Sequence, residues 1–363
     1  MAITCNFLVR RDDLGKSEFR ETGDSSAIAL EAGQVLFAVD AFALTANNVT
    51  YGVFGDAMRY WDFFPAPQGW GSIPVWGFAV VERSSHPEVK VGDRYYGYLP
   101  MATHLVATAS KVSGSGFTEV SPYRADLSPI YNTYMRTAGD AGYDVKRESE
   151  QMLFRPLFLT GYLIDDFLAD ADFFGGRSVV VSSASSKTSI GLAFCLGKHG
   201  PERCEVVGLT SRANQTFVES LGCYHRVVTY DDVATLDAKT PSVFVDMAGD
   251  ANVTSAVHEH FQDNLRYSCS VGGTHWENLA FGKQFPGPTP TLFFAPGQLE
   301  KRLGDWGPAE LQRRMGQAWI SFLPKVDGWI TVEKAEGREA IERVWSATVS
   351  GKADPKRGYI LSY

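Results

Sequence analysis

No apolar run in this chain approaches the roughly 18 residues that a bilayer-spanning helix needs, so a helical membrane span is excluded. The five cysteines, Cys5, Cys195, Cys204, Cys223 and Cys269, are odd in number, widely spaced and never paired as Cys-x-x-Cys. That spacing argues against a disulfide framework and against a thiolate-rich structural zinc site, and buried free thiols are expected. His86 and His104 stand alone, so no metal is expected. A basic stripe is also missing: 34 Lys and Arg, scattered along the chain, stand against 42 Asp and Glu for a net charge of -8. Neither nucleic acid nor an anionic membrane is an expected partner. The stretch from Met1 to Phe19 has no sustained apolar core behind a basic end and no small-residue cleavage site, which reads as a cytoplasmic protein.

What is present is ordinary globular composition, 44% hydrophobic and 21% charged, over 363 residues, enough for two packed units. The first third reads as a small β-rich unit, with extended apolar stretches at Gln34 to Ala41, Gly77 to Glu82 and Tyr95 to Leu99 separated by turns. From about residue 176 the pattern becomes strand and helix in alternation. Strands are expected at Arg177 to Val181, Glu205 to Leu209, Arg226 to Thr229, Ser242 to Asp246 and Tyr267 to Val271, with helices at Ile190 to Lys198, Asn214 to Leu221 and Val253 to Phe261. Such alternation means βαβ units and a parallel sheet, and the fold class is therefore α/β. Arg338 to Val349 reads as a late helix and Gly358 to Leu361 as a closing strand.

Where the first strand of the alternating unit ends, Ser182 to Gly191 form a loop of small side chains running into a helix. Free amides at a helix start, with the positive end of its dipole, bind phosphate. The loop is not a textual Gly-x-Gly-x-x-Gly and lacks the glycine spacing of a P-loop, so the context of strand, small-residue turn and helix carries the dinucleotide reading. Ser183, Ser185, Lys187, Thr188 and Ser189 are the candidate contacts, with a solvated loop charge as the alternative for Lys187. The second strand ends at Thr210-Ser211-Arg212, where an NAD-binding protein would place an acidic side chain on the ribose 2'-hydroxyl. Ser211 and Arg212 suit a 2'-phosphate instead, which points to NADP(H); Arg212 as a plain exposed residue at a helix start is the alternative.

These residues resemble the zinc-independent quinone-oxidoreductase and enoyl-reductase branch of the medium-chain dehydrogenase/reductases. The match rests on Gly33 to Leu44, on Val89 to Gly97 ("VGDRVYG" in the family), on Leu159-Thr160-Gly161-Tyr162 and on Glu219 to Cys223. It rests further on Val245-Asp246 and on Ser350-Gly351-Lys352 with Gly358 to Leu361. Leu127 to Arg136, Arg155 to Phe158 and Ser182 to Thr188 resemble, more finely, the DUF2855 subfamily. The resemblance implies a GroES-like substrate domain over 1–140 with a C-terminal return at 301–363, and a Rossmann NADP-binding domain over 141–300. It adds Thr160 to the cofactor contacts and admits a homodimer. Zinc members keep a Cys near Thr45 and Gly-His-Glu near Val75 to Phe78, and these ligands are missing here.

Without a metal, hydrogen-bond donors must polarise the substrate. Tyr51, by analogy with enoyl reductases, is a candidate donor or else a partly buried aromatic; Asn48 either orients substrate or caps a helix. The aromatics from Tyr51 to Phe78 line a pocket for a bulky apolar or aromatic substrate, or fold over themselves as a satellite cluster. Tyr134 as acid and Arg136 as an anion holder are candidates if their loop faces a cleft between the domains, and solvated otherwise. Val271-Gly272-Gly273 and the stretch through Phe294 are placed at the nicotinamide, a tight turn being the alternative for the glycines. The expected activity is NADPH-dependent reduction of an activated C=C or C=O in a small molecule. Redox-neutral chemistry through a transiently oxidised or reduced nicotinamide, and a catalytically silent NADPH-binding sensor or scaffold, stand as alternatives.

Overall fold

A computed structural model describes residues 3–140, 142–272 and 284–363. The chain divides into two compact units, Met1–Leu153 with Thr331–Tyr363, and Phe154–Ile330. In chain order the first unit carries β1 (Ile3–Arg10), β2 (Ser17–Asp24), β3 (Gln34–Leu44), α1 (Ala46–Val53), β4 (Trp70–Gly71) and β5 (Pro74–Ser84). Then follow β6 (Arg94–Pro100), β7 (His104–Ser113), β8 (Gly116–Glu119) and β9 (Thr133–Arg136). Helix α2 (Glu148–Asp170) leads to β10 (Ser178–Val181), α3 (Lys187–Leu196), β11 (Glu205–Thr210), α4 (Gln215–Ser220) and β12 (Arg226–Thr229). The second unit continues with β13 (Ser242–Asp246), α5 (Ala251–Phe261), β14 (Leu265–Ser270), β15 (Thr291–Leu292) and α6 (Ala295–Val326). The chain closes in the first unit with β16 (Thr331–Glu336), α7 (Arg338–Val349) and β17 (Arg357–Ser362).

In the first unit β3 pairs with both β5 and β7, which closes the run β3-β5-β6-β9-β8-β7 on itself as a barrel; β17 and β16 extend it from the far end of β3. The eleven residues of β3 make this double pairing possible, with Gln34 to Ala38 facing β7 and Phe42 to Leu44 facing β17. Inside, the near-parallel rings of Tyr134, Phe37 and Phe117 cluster, with Tyr134 5.6 Å from Phe37 and 5.2 Å from Phe117 between centroids. Gly97 is glycine because a Cβ there would lie 2.6 Å from the Tyr134 ring.

In the second unit six parallel strands run in the order β12-β11-β10-β13-β14-β15. Both faces are covered, as parallel sheets require, and the period of two sorts the valines. Val179 and Val181 pack with Leu192, Val243 and Cys269, whereas Val180 packs on the other face with Leu209, Phe244 and Val257. The chain returns to the first unit at Thr331 rather than at residue 301. The reason lies in α6: Phe322 stacks on Phe158 at 4.7 Å, and Arg302 forms ion pairs with Asp166 and Asp170, so this helix belongs with the sheet-bearing unit.

Candidate functional site

The order of the parallel strands reverses between β10 and β13, and in open α/β sheets ligands bind outside the carboxyl ends of strands at such a switch point. The turn after β10 sits there. Its framework is a set of hydrogen bonds to Asp246, the buried last residue of β13. Asp246 accepts from the Ser182 hydroxyl at 2.7 Å, from the amides of Ala248 and Gly249 at 3.1 Å each, and from the Thr254 hydroxyl at 3.0 Å. Ser182 in turn accepts from the Met247 amide, joining the two strand ends.

Serines build the rest of the turn. Ser186 caps α3, accepting from the Ser189 amide at 3.2 Å, and the Ser189 hydroxyl donates to the Ser182 carbonyl at 3.0 Å. Ser189 is therefore buried and engaged within the turn, not offered to a ligand. Ser183 has a positive φ of 47° and its amide donates to the Tyr230 hydroxyl at 3.1 Å. Ser185 accepts from the Asn214 side chain at 3.3 Å. Lys187 opens α3, its ammonium 5.9 Å from the Phe154 ring centroid, and Thr188 follows. Tyr224 donates to the Ala184 carbonyl at 2.8 Å, and its ring lies where a Cβ on Gly208 would intrude at 2.8 Å.

A dinucleotide pyrophosphate fits this donor set. Among the described residues the amides of Ser185 and Thr188 have no acceptor, and both lie in the half-exposed part of the turn at the positive end of α3. One strand over, the Thr210 hydroxyl is buried with no hydrogen-bond partner at the end of β11. Beyond it Ser211 precedes a short 3-10 turn without a side-chain cap bond. The Arg212 guanidinium, 68% exposed, stands 3.5 Å from Asp232 and 3.8 Å from Asp231. A 2'-phosphate would share that guanidinium with two carboxylates.

The other expected contacts fall into different roles. Thr160 lies on α2 with its hydroxyl returned to the Pro156 carbonyl at 3.1 Å, a bond within the helix. The Val271 amide donates to the Asp246 carbonyl at 2.8 Å, so the chain leaving β14 towards Gly272 starts beside the end of β13. Gly273 lies outside the described residues. Phe294 immediately precedes α6 and is 45% exposed.

In the first unit three of the four candidate catalytic residues have structural work. Asn48 accepts from the Thr45 amide at 2.7 Å and donates to the Pro74 carbonyl at 2.8 Å; it pins α1 to β5, the capping alternative. Tyr134 is a core residue of the barrel, donating to the Tyr98 carbonyl at 2.6 Å, with burial pushing its phenol up to about 12. Arg136 pairs with Asp93 at 2.7 Å. Both residues lie on strand β9 rather than on a loop, and the barrel sheet fixes them.

Tyr51 sits in a box of rings with Tyr60 at 4.7 Å and Tyr98 at 5.5 Å, and Tyr131 rests on Tyr98 at 4.6 Å. The Trp76 indole donates to the Tyr51 hydroxyl at 3.3 Å, and burial raises the phenol well above its usual range. The Tyr98 hydroxyl is buried beside it without a hydrogen bond of good geometry. Tyr51, Phe54, Tyr60, Phe63 and Phe64 pack on one another and on Tyr98 and Leu127, as the satellite-cluster alternative has it. Beneath, Arg124 is fully buried over the Phe64 ring and 3.4 Å from Glu119. All five cysteines are free, and among the described residues no three His, Cys, Asp or Glu side chains gather to hold a metal.

Sequence reasoning missed Tyr224, Tyr230, Thr210 and the bonding role of Asp246. A usable signal existed for the last: an aspartate ending an otherwise apolar buried strand must find donors.

A closed β-barrel unit, interrupted in sequence by a unit with a six-stranded parallel sheet, makes this a GroES-like plus Rossmann-like α/β fold. Solved structures share it across nearly their full lengths. CurA from Vibrio vulnificus in complex with NADPH has TM-score 0.64 at 13% identity, with 98% of each chain covered. The yhdH oxidoreductase from Salmonella enterica in complex with NADP has TM-score 0.53 at 14% identity over 99% of each chain. An enoyl thioester reductase from Candida tropicalis, in a mutant form, has TM-score 0.56 at 11% identity over 100% of each. At these identities the likeness establishes the fold. No curated protein matches the sequence. The chain belongs to the DUF2855 family, whose model, described as a protein of unknown function, matches residues 42–354.

Proposed function

We propose that this protein is a zinc-free, NADPH-dependent reductase acting on an activated C=C or C=O group of a bulky apolar or aromatic small molecule. The observation that carries the reading is the serine turn at the sheet's switch point, with two unpartnered amides at a helix start beside a buried, unpartnered threonine hydroxyl. CurA and the yhdH oxidoreductase, which share the fold, were crystallised with NADPH and NADP. Bound NADPH supplies a hydride. The protein's own part is to hold the pyrophosphate on the Ser185 and Thr188 amides with Lys187, to place Arg212 at the 2'-phosphate, and to set Val271, Gly272 and Phe294 at the nicotinamide. In the first unit the Tyr51 phenol, kept neutral by burial, is the group able to donate a proton or hydrogen bond to substrate. We read the protein as cytoplasmic, in keeping with its acidic composition and cysteine usage, and as a homodimer.

The test is to mix the protein with NADPH, or NADH, and a panel of enones, quinones and aromatic ketones while following nicotinamide absorbance. NADPH oxidation with at least one acceptor, and slower turnover with NADH, is the expected result. In that assay Tyr51→Phe lowers kcat by about a hundredfold. Absence of NADPH binding in calorimetry sinks the proposal. A second reading, a catalytically silent NADPH binder, is favoured by one observation: Asn48 and Tyr134 are spent on structure and Tyr51 is enclosed by rings. Its mark is tight NADPH binding without product from any acceptor. Product formed without net nicotinamide change selects redox-neutral chemistry instead.

A further inference from the structure

The turn after β10 needs a left-handed residue and has no glycine to supply it. Ser183 takes that conformation, with φ 47°. A side chain there is disfavoured by contact of its Cβ with the backbone, the reason dinucleotide-binding turns use glycine at such bends. Something must hold Ser183 in place, and the hydrogen bonds around it identify what does. Its amide donates to the Tyr230 hydroxyl at 3.1 Å. Its carbonyl accepts the Ser186 amide at 2.7 Å, and Ser186 is the residue that caps α3. The conformation of Ser183 therefore determines where α3 begins, and with it where the Ser185 and Thr188 amides point. Tyr230 reaches the turn from the residue immediately after β12, packed against the core of Val180, Leu209 and Phe244. Tyr224, on the residue pair ahead of β12, holds the next carbonyl, that of Ala184.

We propose that Tyr230 is a positioning residue for the dinucleotide: its hydroxyl, by accepting the Ser183 amide, holds the turn in the left-handed bend that a glycine would otherwise provide. Tyr224 is the second strut of the same clamp. The inference rests on the nucleotide-binding reading of the turn and deepens it, because it explains how a serine-lined loop presents amides as a glycine-rich one does. Neither tyrosine needs to touch the pyrophosphate for this role. Burial raises the phenol of Tyr230, which stays neutral through the working pH range and leaves its oxygen free to accept.

The test is a pair of variants with a rescue. Tyr230→Phe keeps the ring and removes the acceptor, and its affinity for NADPH, measured by calorimetry, is expected to fall about tenfold. Adding Ser183→Gly to Tyr230→Phe removes the need for the acceptor and is expected to restore affinity to within about threefold of the unsubstituted protein. Undiminished affinity in Tyr230→Phe, or a double variant no better than it, overturns the proposal. Should Tyr230→Phe fail to fold, Ser183→Val carries the test with Tyr230 in place: a β-branched residue resists positive φ, and binding is expected to weaken at least tenfold. Unchanged binding there overturns the proposal equally. Hydrogen exchange of the segment 182–190 in nucleotide-free protein separates the clamp from the cofactor. Faster exchange in Tyr230→Phe supports the clamp even if the unsubstituted protein binds no NADPH, the outcome that would defeat the nucleotide reading alone. Equal exchange in that circumstance defeats the clamp too.

Discussion

The serine turn of the second unit and the tyrosine box of the first are both built from hydroxyl-bearing side chains, yet they behave as opposites. In the turn, hydroxyls and carboxylate are used on one another so that backbone amides are left over at a half-exposed helix start. In the box, phenols face other rings, burial raises every one of them, and the group is closed over itself. A candidate site is thus marked less by which residues gather than by which donors remain without acceptors once the local network is satisfied. The same criterion moves Tyr134 and Asn48 out of the catalytic set and brings Thr210 into view.

Substitutions can break this contrast, beginning with the largest effect. Tyr134→Ala removes a ring packed on both Phe37 and Phe117 together with the bond to the Tyr98 carbonyl; a loss of about 3–5 kcal/mol in denaturant unfolding is expected. A loss below about 1 kcal/mol would show that the barrel interior is not the core described. Asp246→Ala leaves the Ser182 hydroxyl and the amides of Ala248 and Gly249 without their acceptor, while the Thr254 hydroxyl keeps the Asp250 carbonyl. Expected are a stability loss of about 2–3 kcal/mol and NADPH binding weakened by more than about tenfold, both readable in one calorimetric series. Arg212→Ala is expected to weaken NADPH binding by about tenfold and NADH by less than about twofold, whereas Asp231→Asn with Asp232→Asn tightens NADPH by about twofold at low salt. Equal losses for both nucleotides with Arg212→Ala would remove it from the 2'-phosphate.

The smallest effect concerns pH. His258 is buried between the Pro286 carbonyl and the Ser268 hydroxyl, each at 2.8 Å. A carbonyl only accepts, so Nδ1 carries the proton and Nε2 accepts from Ser268. Desolvation lowers the folded-state pKa below the usual value of about 6.5. The unfolded chain therefore binds this proton more readily than the folded one. The contribution of neutral His258 is fully present above about pH 6.5 and is lost as pH falls through the lowered value. Thermal melts between pH 7.5 and about 5 should show a decline that His258→Gln reduces; an identical decline in the variant assigns it to other groups.

Much of the second unit was legible in the chain itself. The runs at Ser178 to Val181, Val206 to Thr210 and Ser242 to Val245 are uniformly apolar or small because both faces are covered, and that signal is local. The barrel was only partly legible: β9 and the closure of β3 on β7 depend on pairing between segments far apart in sequence. That helix α6 belongs to the sheet-bearing unit is not legible for a similar reason, since nothing in its own periodicity says that Phe322 will meet Phe158.

Sequence alone determined the α/β class, the parallel order of strand and helix, and the position of a small-residue turn at a helix start, because periodicity and chain geometry act within a few residues. Tertiary structure decided which of those polar groups are free. Ser183 meets Tyr230 across 47 positions and Ser182 meets Asp246 across 64. A hydrogen bond saturates whichever partner the fold brings within reach, and no local pattern encodes that choice.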